Sequence, residues 1–576
     1  MTFSVRCRMA LLVLLVLFAT SYWASASTIE RPAKNRGAQA AETSRGQRLS
    51  AHGKSLLAFV IDGGTLPDLD RPSFEGLKDE TRQFYDSLGG SLAWISHSKP
   101  TSQALAMIHL LKIADEKGLN AEDYDGPRWD SRLARFERPD PLREAHLVMF
   151  DVALTVSVMR YIPDLNIGRV SPRLFHFELD IHNRRIDLSE FLKDMLASGS
   201  DIGSRVQDVE PPFPAYRRTI LALQKYRELA REDDGEPLPA AGKTIQPGDS
   251  YAGVQRLFRL LSLLGDLPPG ATAASSAVYQ GTLPEAVRHF QGRHGIESTG
   301  LIDEETLQAL NTPIARRVTQ LELTLERWRW APHEFVRPPI AVNIPEFRLR
   351  ADDEKYHWVL SMKVVVGRAY GHKTPVFASE IRSVIFRPYW NVPLGIQREE
   401  FVPKIEENPA YLAQNSYDIV DSDGSVVDED PGREEVREKL RSGQLGIRQR
   451  PGPDNALGLV KFDFPNQFDV YMHGTPSTEL FSKSRRDFSH GCIRVEDPVS
   501  LAQWILRDRP EWATESIRNA MYGETTVRVA LLKPIPVLIV YGTAVVMEDG
   551  EVRFFDDIYG HDAALERALT QDDPRQ

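Results

Sequence analysis

Apolar positions along this chain change their period twice, and each change marks a different kind of structure. From about Leu56 to Glu232 they recur at helical spacing. A repeat near 3.6 residues gives a helix one apolar face. The stretch Thr101 to Lys117 places Leu105, Ile108 and Leu110 or Leu111 on one side, with Gly118 as a stop. Leu147 to Tyr161 predicts another helix, ended near Pro163. Three short helices are predicted between about Asp249 and Asn311. Val254, Leu257, Phe258, Leu261 and Leu264 trace the first; Ala286, Val287 and Phe290 trace the second. Asp303 caps a third, which carries Leu307 and Leu310. From Pro338 the period falls to two. Strands are predicted at Ile340 to Ile344, Val359 to Val366, Val384 to Phe386, Phe468 to Met472, Thr526 to Leu532 and Val537 to Tyr541.

Polar stretches divide these regions. The reading is a multidomain α+β chain: a helical scaffold over 51–232, a three-helix module over 249–312, a β-rich domain over 338–545 and a tail over 546–576. A linker rich in acids and prolines runs from Glu232 to Gly248. Residues from about Gln397 to Gly446 interrupt the β-rich domain. They are acidic and helix-prone, as at Pro431 to Leu440. A long insertion in a β domain more often binds or caps than supports the fold.

Composition narrows the chemistry. The 576 residues are 42% hydrophobic and 26% charged, ordinary for a globular protein. A formal charge of −11 argues against broad nucleic-acid binding. Two cysteines make neither a disulfide framework nor a four-thiolate zinc site. Arg6 and Arg8, the apolar run Met9 to Ala19 and Ala24-Ser25-Ala26 have the order of a secretory signal over 1–26. A flexible leader over 27–50 is predicted after it. An uncleaved signal would instead tether the chain to the membrane. Export to the periplasm or cell envelope removes Cys7 with the signal and leaves Cys492 as the mature chain's thiol.

The surroundings of Cys492 carry the chemistry. Tyr471-Met472-His473-Gly474-Thr475-Pro476 precedes Phe488-Ser489-His490-Gly491-Cys492-Ile493-Arg494-Val495. Alternation along a strand puts Asp469, Tyr471 and His473 on one face. Gly491 permits a tight turn before Cys492. Asp497 caps a following helix, with Pro498 at its first position. A thiol attacks a carbonyl once an imidazole takes its proton. Successive amides of Gly491 and Cys492 would hold the oxyanion. Arg494 would steer a substrate carboxylate. Acyl transfer by a thiolate needs no cofactor and no metal.

The Cys492 segments resemble the catalytic signature of the L,D-transpeptidases with a YkuD-type domain. Arg387 to Pro393, Gly371 to Pro375, Arg450 to Pro453, Asn455 to Gly458, Lys461 to Asn466, Pro534 to Val537 and Asp557 to Gly560 are similar to the large periplasmic YcbB-like subfamily. Phe290-Gln291 to His294-Gly295-Ile296 and Gly300 resemble a peptidoglycan-binding module. The resemblance implies that Cys492 takes the acyl group of a donor tetrapeptide stem as a thioester. A diaminopimelate amine of a neighbouring stem then resolves it into a 3→3 cross-link. It implies His473 as general base and acid, oriented by the Gly474 carbonyl, with Gly491 and Cys492 as the oxyanion hole. Arg494, His490, Ser489, Tyr471 and Trp390 are the substrate-binding candidates. The subfamily often has serine where His490 stands. The insertion is expected to cap the substrate. Water or a free D-amino acid as acceptor would give carboxypeptidase or exchange activity. A zinc peptidase using His473, His490 and Cys492, and a non-catalytic wall-binding protein, stand as alternatives.

Overall fold

The computed structural model describes residues 46–198, 201–272, 276–369 and 371–570. The proposed signal, with Cys7 in it, lies outside them, as does the leader through residue 45.

The first core belongs to the helical region. Its central helix, α1 (Arg143–Ile167), is buried nearly all round. It is long and apolar enough to cross a membrane, yet most of it is packed inside the protein. It runs straight through Pro163 rather than ending there. A proline inside a helix costs about 3 kcal/mol. Burial of Ile162 and Leu165 on either side offsets that cost. Asp151 is buried in the same helix and accepts from Tyr85 Oη at 2.7 Å and from the Trp94 amide at 2.8 Å. Burial pushes its pKa up to about 6.

Helix Ser102–Lys112 starts on the Thr101 side chain, which accepts from the Ala104 amide, and gives way to a 3-10 turn closed by left-handed Gly118. Its buried face is Ala104, Met107, Ile108 and Leu111, so Leu105 points outward at 48% exposure. Residues 46–50 are not free leader. The Gln47 amide donates to Ile95 O at 3.0 Å, and Ser50 caps Ala51–Gly63.

The scaffold's last helix, α2 (Pro214–Glu232), shares a core with the three-helix module rather than with α1. The module's helices are Val254–Leu264, Leu283–Arg293 and Glu304–Leu310. Asp303 accepts from the Thr306 amide at 2.8 Å, as its capping role requires. Phe258, Leu264 and Leu307 are only partly buried against that core. The described part of the 546–576 segment, residues 546–570, is folded. A hairpin of Ala544–Val546 with Val552–Phe554 enters the module's core, and helix His561–Leu569 follows.

A long helix not foreseen in the sequence, α3 (Ile314–Trp330), ties the regions together. Its Glu326 accepts from the Val170 amide at 3.0 Å, and its Arg327 pairs with Asp562 at 2.5 Å.

The β-rich domain is a nine-stranded sheet. Its strands are β1 (Ile340–Asn343), β2 (Arg348–Asp352), β3 (Trp358–Gly367), β4 (Phe377–Phe386), β5 (Val460–Asp463), β6 (Met472–His473), β7 (Asp487–Ser489), β8 (Ile493–Val495) and β9 (Val527–Val540). Their order is β7–β3–β8–β6–β5–β4–β9–β1–β2, and β2 pairs back onto β3, which closes the sheet. The two C-terminal strand segments form one strand, β9, with a register break between Ala530 and Ile535. Pro534 and Pro536 lie at or beside that break, where a missing ladder donor is tolerated.

The insertion is an α/β unit rather than a purely helical one. Trp390–Asn391, Tyr417–Val420 and Gly446–Gln449 form a three-stranded sheet, with a helical run over 394–407 and helix Glu434–Ser442 beside it. Val392, Phe401, Ile405, Leu440 and Ile447 belong to its separate core.

Candidate active site

Strand β6 is short for a local reason. The Asn466 side chain accepts from the amides of Phe468 and Val470 at 3.0 and 3.1 Å, so the backbone turns there. Asp469 sits at φ 53°, which breaks the alternation expected through Phe468 to Met472. Regular pairing begins only at Met472. There β6 lies between two partners, with His473 opposite Lys461 on β5 and opposite Arg494 on β8.

The parallel register with β8 sets Met472 against Ile493, both fully buried. The ladder continues backward, since the Ile493 amide donates to Tyr471 O at 3.1 Å. Tyr471, His473, Cys492 and Arg494 therefore share the face opposite that core. Cys492, the residue before β8, is thus diagonal to His473 in the extended register.

His473 is 4% exposed. Its Nδ1 lies 2.5 Å from Gly474 O. A carbonyl only accepts, so Nδ1 carries the proton and Nε2 keeps a lone pair. Burial, then the charges of Arg494 and Lys461, push the ring's pKa down to about 3. The carbonyls of Gly474 and Leu457 act the other way. Cys492 is partly buried, and burial pushes its thiol up. Tyr471, Lys461 and Arg494 favour the thiolate. Sulfur and imidazole are thus both neutral at rest, and the thiol donates to Asp469 O at 3.7 Å.

The backbone that aims these groups is braced from behind. Gly491 adopts φ 114°, a conformation that favours glycine. The Thr374 hydroxyl donates to Gly491 O and accepts from the Gly367 amide, each at 2.8 Å. Tyr559 Oη in turn accepts from the Thr374 amide at 3.2 Å. Gly458 passes so close that a Cβ there would stand 2.6 Å from Thr475 N. This packing holds the Gly474 peptide in place.

Ser489 differs from its expected role as a substrate contact. It is buried, donates to Cys492 O at 2.5 Å and accepts from the Gly491 amide at 3.1 Å. It is an internal strut of the turn. The same bond occupies the Gly491 amide, half of the expected oxyanion hole.

His490 faces away from the strand. Its Nε2 lies 2.6 Å from Glu400 Oε1 of the insertion and 3.3 Å from Arg368 Nη2, and its ring meets His372 edge-on at 4.7 Å. Burial, then the charge of Cys492, pushes the Tyr471 hydroxyl's pKa up, while Trp390 at the root of the insertion acts the other way. Sequence reasoning missed Glu400, Lys461, Thr374 and Tyr559. The latter three sit in segments already singled out; Glu400 carried no signal. A separate cavity of about 150 Å³, walled by Phe213, Trp328, Tyr356 and Trp358 among others, contains none of these residues.

Comparison with known proteins gives three family matches and one relative. Residues 338–545 match the L,D-transpeptidase catalytic domain family, YkuD. Residues 250–310 match a family described as "Putative peptidoglycan binding domain", and 79–223 match a scaffold domain. A Haemophilus influenzae protein named "Putative L,D-transpeptidase" is 30% identical over 311 residues, covering 51% of this chain and 62% of that relative. The match therefore spans less than two thirds of the relative's length.

Proposed function

Given a YkuD L,D-transpeptidase catalytic domain beside a peptidoglycan-binding domain, we propose that this chain forms 3→3 cross-links in peptidoglycan through a thioester on Cys492. The observation that carries the reading is the β6–β8 register, which sets Cys492 diagonally beside an imidazole whose Nδ1 is locked to Gly474 O. Peptidoglycan-acting domains support work at the cell envelope. Export by the N-terminal signal to the periplasm completes the proposal.

The steps follow from the resting state. His473 Nε2 takes the thiol proton as sulfur attacks the carbonyl of the donor stem's third residue. The Cys492 amide receives the oxyanion, joined by the Gly491 amide once it leaves Ser489. The C–N bond breaks, and the proton on His473 goes to the departing D-alanine. A diaminopimelate amine of a second stem then attacks the thioester. Its carbon–sulfur bond breaks, and the amine's proton returns through His473 to the sulfur. Arg494 stands on the same face as the nucleophile and suits a substrate carboxylate. Tyr471 and Trp390 form the wall beside the sulfur.

The test is digestion of purified sacculi, with products read by mass. Intact protein is expected to yield 3→3 dimers, and Cys492→Ala none, with its fold retained. Dimers persisting with Cys492→Ala would refute the thioester route. Tripeptides without dimers would mark carboxypeptidase activity instead, and stems with an exchanged terminal D-amino acid would mark exchange.

A further inference from the structure

Two walls of opposite charge flank Cys492. On the barrel side Lys461 and Arg494 bracket His473, and Arg368 reaches His490. On the other side stands the insertion, where residues 397–446 hold thirteen Asp or Glu against six Lys or Arg. Several of these acids are held by the insertion's own cations. Glu406, Glu434 and Glu438 converge on Arg441, and Glu429 and Glu435 on Lys439.

Glu400 is placed differently. Its ion partners among the described residues are Lys404 at 3.7 Å and His490 at 2.6 Å, and its side chain is 36% exposed. His490 lies two residues from Cys492. It is a poor counter-ion, because burial holds its pKa below the ordinary imidazole value. A carboxylate hydrogen-bonded to a mostly neutral ring gains by exchanging it for a full ammonium.

We propose that Glu400 is the subsite for the cationic amine of the acyl acceptor, with His490 as its resting partner. The inference rests on the reading that Cys492 carries the acyl group. An acceptor amine is mostly ammonium at neutral pH, and the cationic barrel wall repels it. A carboxylate on the facing wall concentrates it beside the thioester. The bound ammonium releases one proton to water. Its nitrogen then attacks the thioester carbonyl, the C–S bond breaks, and the second proton passes through His473 to the sulfur. Water carries no charge for Glu400 to hold, so Glu400 favours aminolysis over hydrolysis.

The experiment forms the thioester from a tetrapeptide donor, verifies it by mass, and measures the ratio of amide to hydrolysed product with a diaminopimelate-containing acceptor. Glu400→Gln is expected to lower that ratio about tenfold, the worth of one charge-assisted hydrogen bond, and Glu400→Asp to restore most of it. A second measurement uses the unaltered protein. Added salt is expected to lower the ratio for the ammonium acceptor but not for hydroxylamine, which is neutral above pH 7. An unchanged ratio in Glu400→Gln bearing the thioester, or equal salt responses for both acceptors, overturns the inference while leaving the acyl-enzyme intact. Absence of a thioester on the unaltered protein would overturn the acyl-enzyme itself.

Discussion

The barrel and the insertion each present a histidine or its partner to Cys492, in opposite surroundings. His473 grows from a strand paired on both sides, and its ring is locked to the next residue's carbonyl. Its barrel shares one continuous core with Val170, Phe177 and Leu179 of the scaffold. His490 sits on a turn, and a principal partner, Glu400, belongs to a unit with its own core. On the proposed reading, the difference assigns the chemistry to the barrel and substrate selection to the separately cored insertion. It also separates what each histidine needs. As the proposed base His473 must stay put and neutral, whereas His490 is tied to the insertion through Glu400.

The largest effect is expected on the rigid side. His473→Gln removes the base but leaves the strand, so acylation should fall by about 10²–10⁴-fold. The buried ring also makes a pH statement. Its pKa is near 3 in the folded protein against 6.5 for a free imidazole. Between those values the unfolded chain binds the extra proton, so stability falls as pH drops through that window. Denaturant unfolding of the Gln variant should show a shallower loss between pH 7 and pH 4. The acid limb of kcat/KM in the unaltered protein should lie below 6.5; a limb at 6.5 would mean a solvated ring and would dissolve the contrast with His490.

Removing the insertion tests the other half. The Val392 amide donates to Ile447 O at 2.9 Å, so the two ends of the insertion are neighbours and a short turn can join them. Excision of 397–446 should leave the barrel's unfolding transition in place and raise KM for the donor stem about tenfold, the worth of one or two lost contacts. Unchanged kinetics would remove the capping role, and a collapsed barrel would show that the two cores are not independent.

The sequence made the two sides legible to different degrees. Cys492 and His473, proposed as nucleophile and base, were legible because each lies beside a glycine in a short segment of its own, the two 19 residues apart. The cap of the helix after the site was readable too: Asp497 accepts from the Ser500 amide at 3.0 Å. Glu400 was not, because it reaches His490 across 90 residues of chain, through a fold that periodicity does not reveal. The extent of β6 failed for another reason. The Asn466 side chain captures backbone amides that a strand would otherwise use, and an alternating pattern contains no sign of it. Ser489 was misread because a polar side chain beside a nucleophile looks the same in sequence whether it faces substrate or braces the loop.

The smallest expected effect discriminates most finely between two rigid bodies and one. Leu440 is fully buried in the insertion's core, and its carbonyl accepts from Gln397 Nε2 at 2.7 Å. Leu440→Ala should cost about 2–5 kcal/mol, the usual range for emptying a buried leucine site. That cost falls on whichever unit shares the cavity. If the insertion folds on its own core, hydrogen exchange should quicken through Glu434–Ser442 and Tyr417–Val420 while β5, β6 and β8 keep their protection. Thioester formation at saturating donor should then change little, because His473 is paired on both sides by barrel strands and the turn before Cys492 is braced by Thr374 and Tyr559. Loss of protection spreading into β6 would show that the cap stiffens the catalytic strand, and the chemistry would no longer belong to one side.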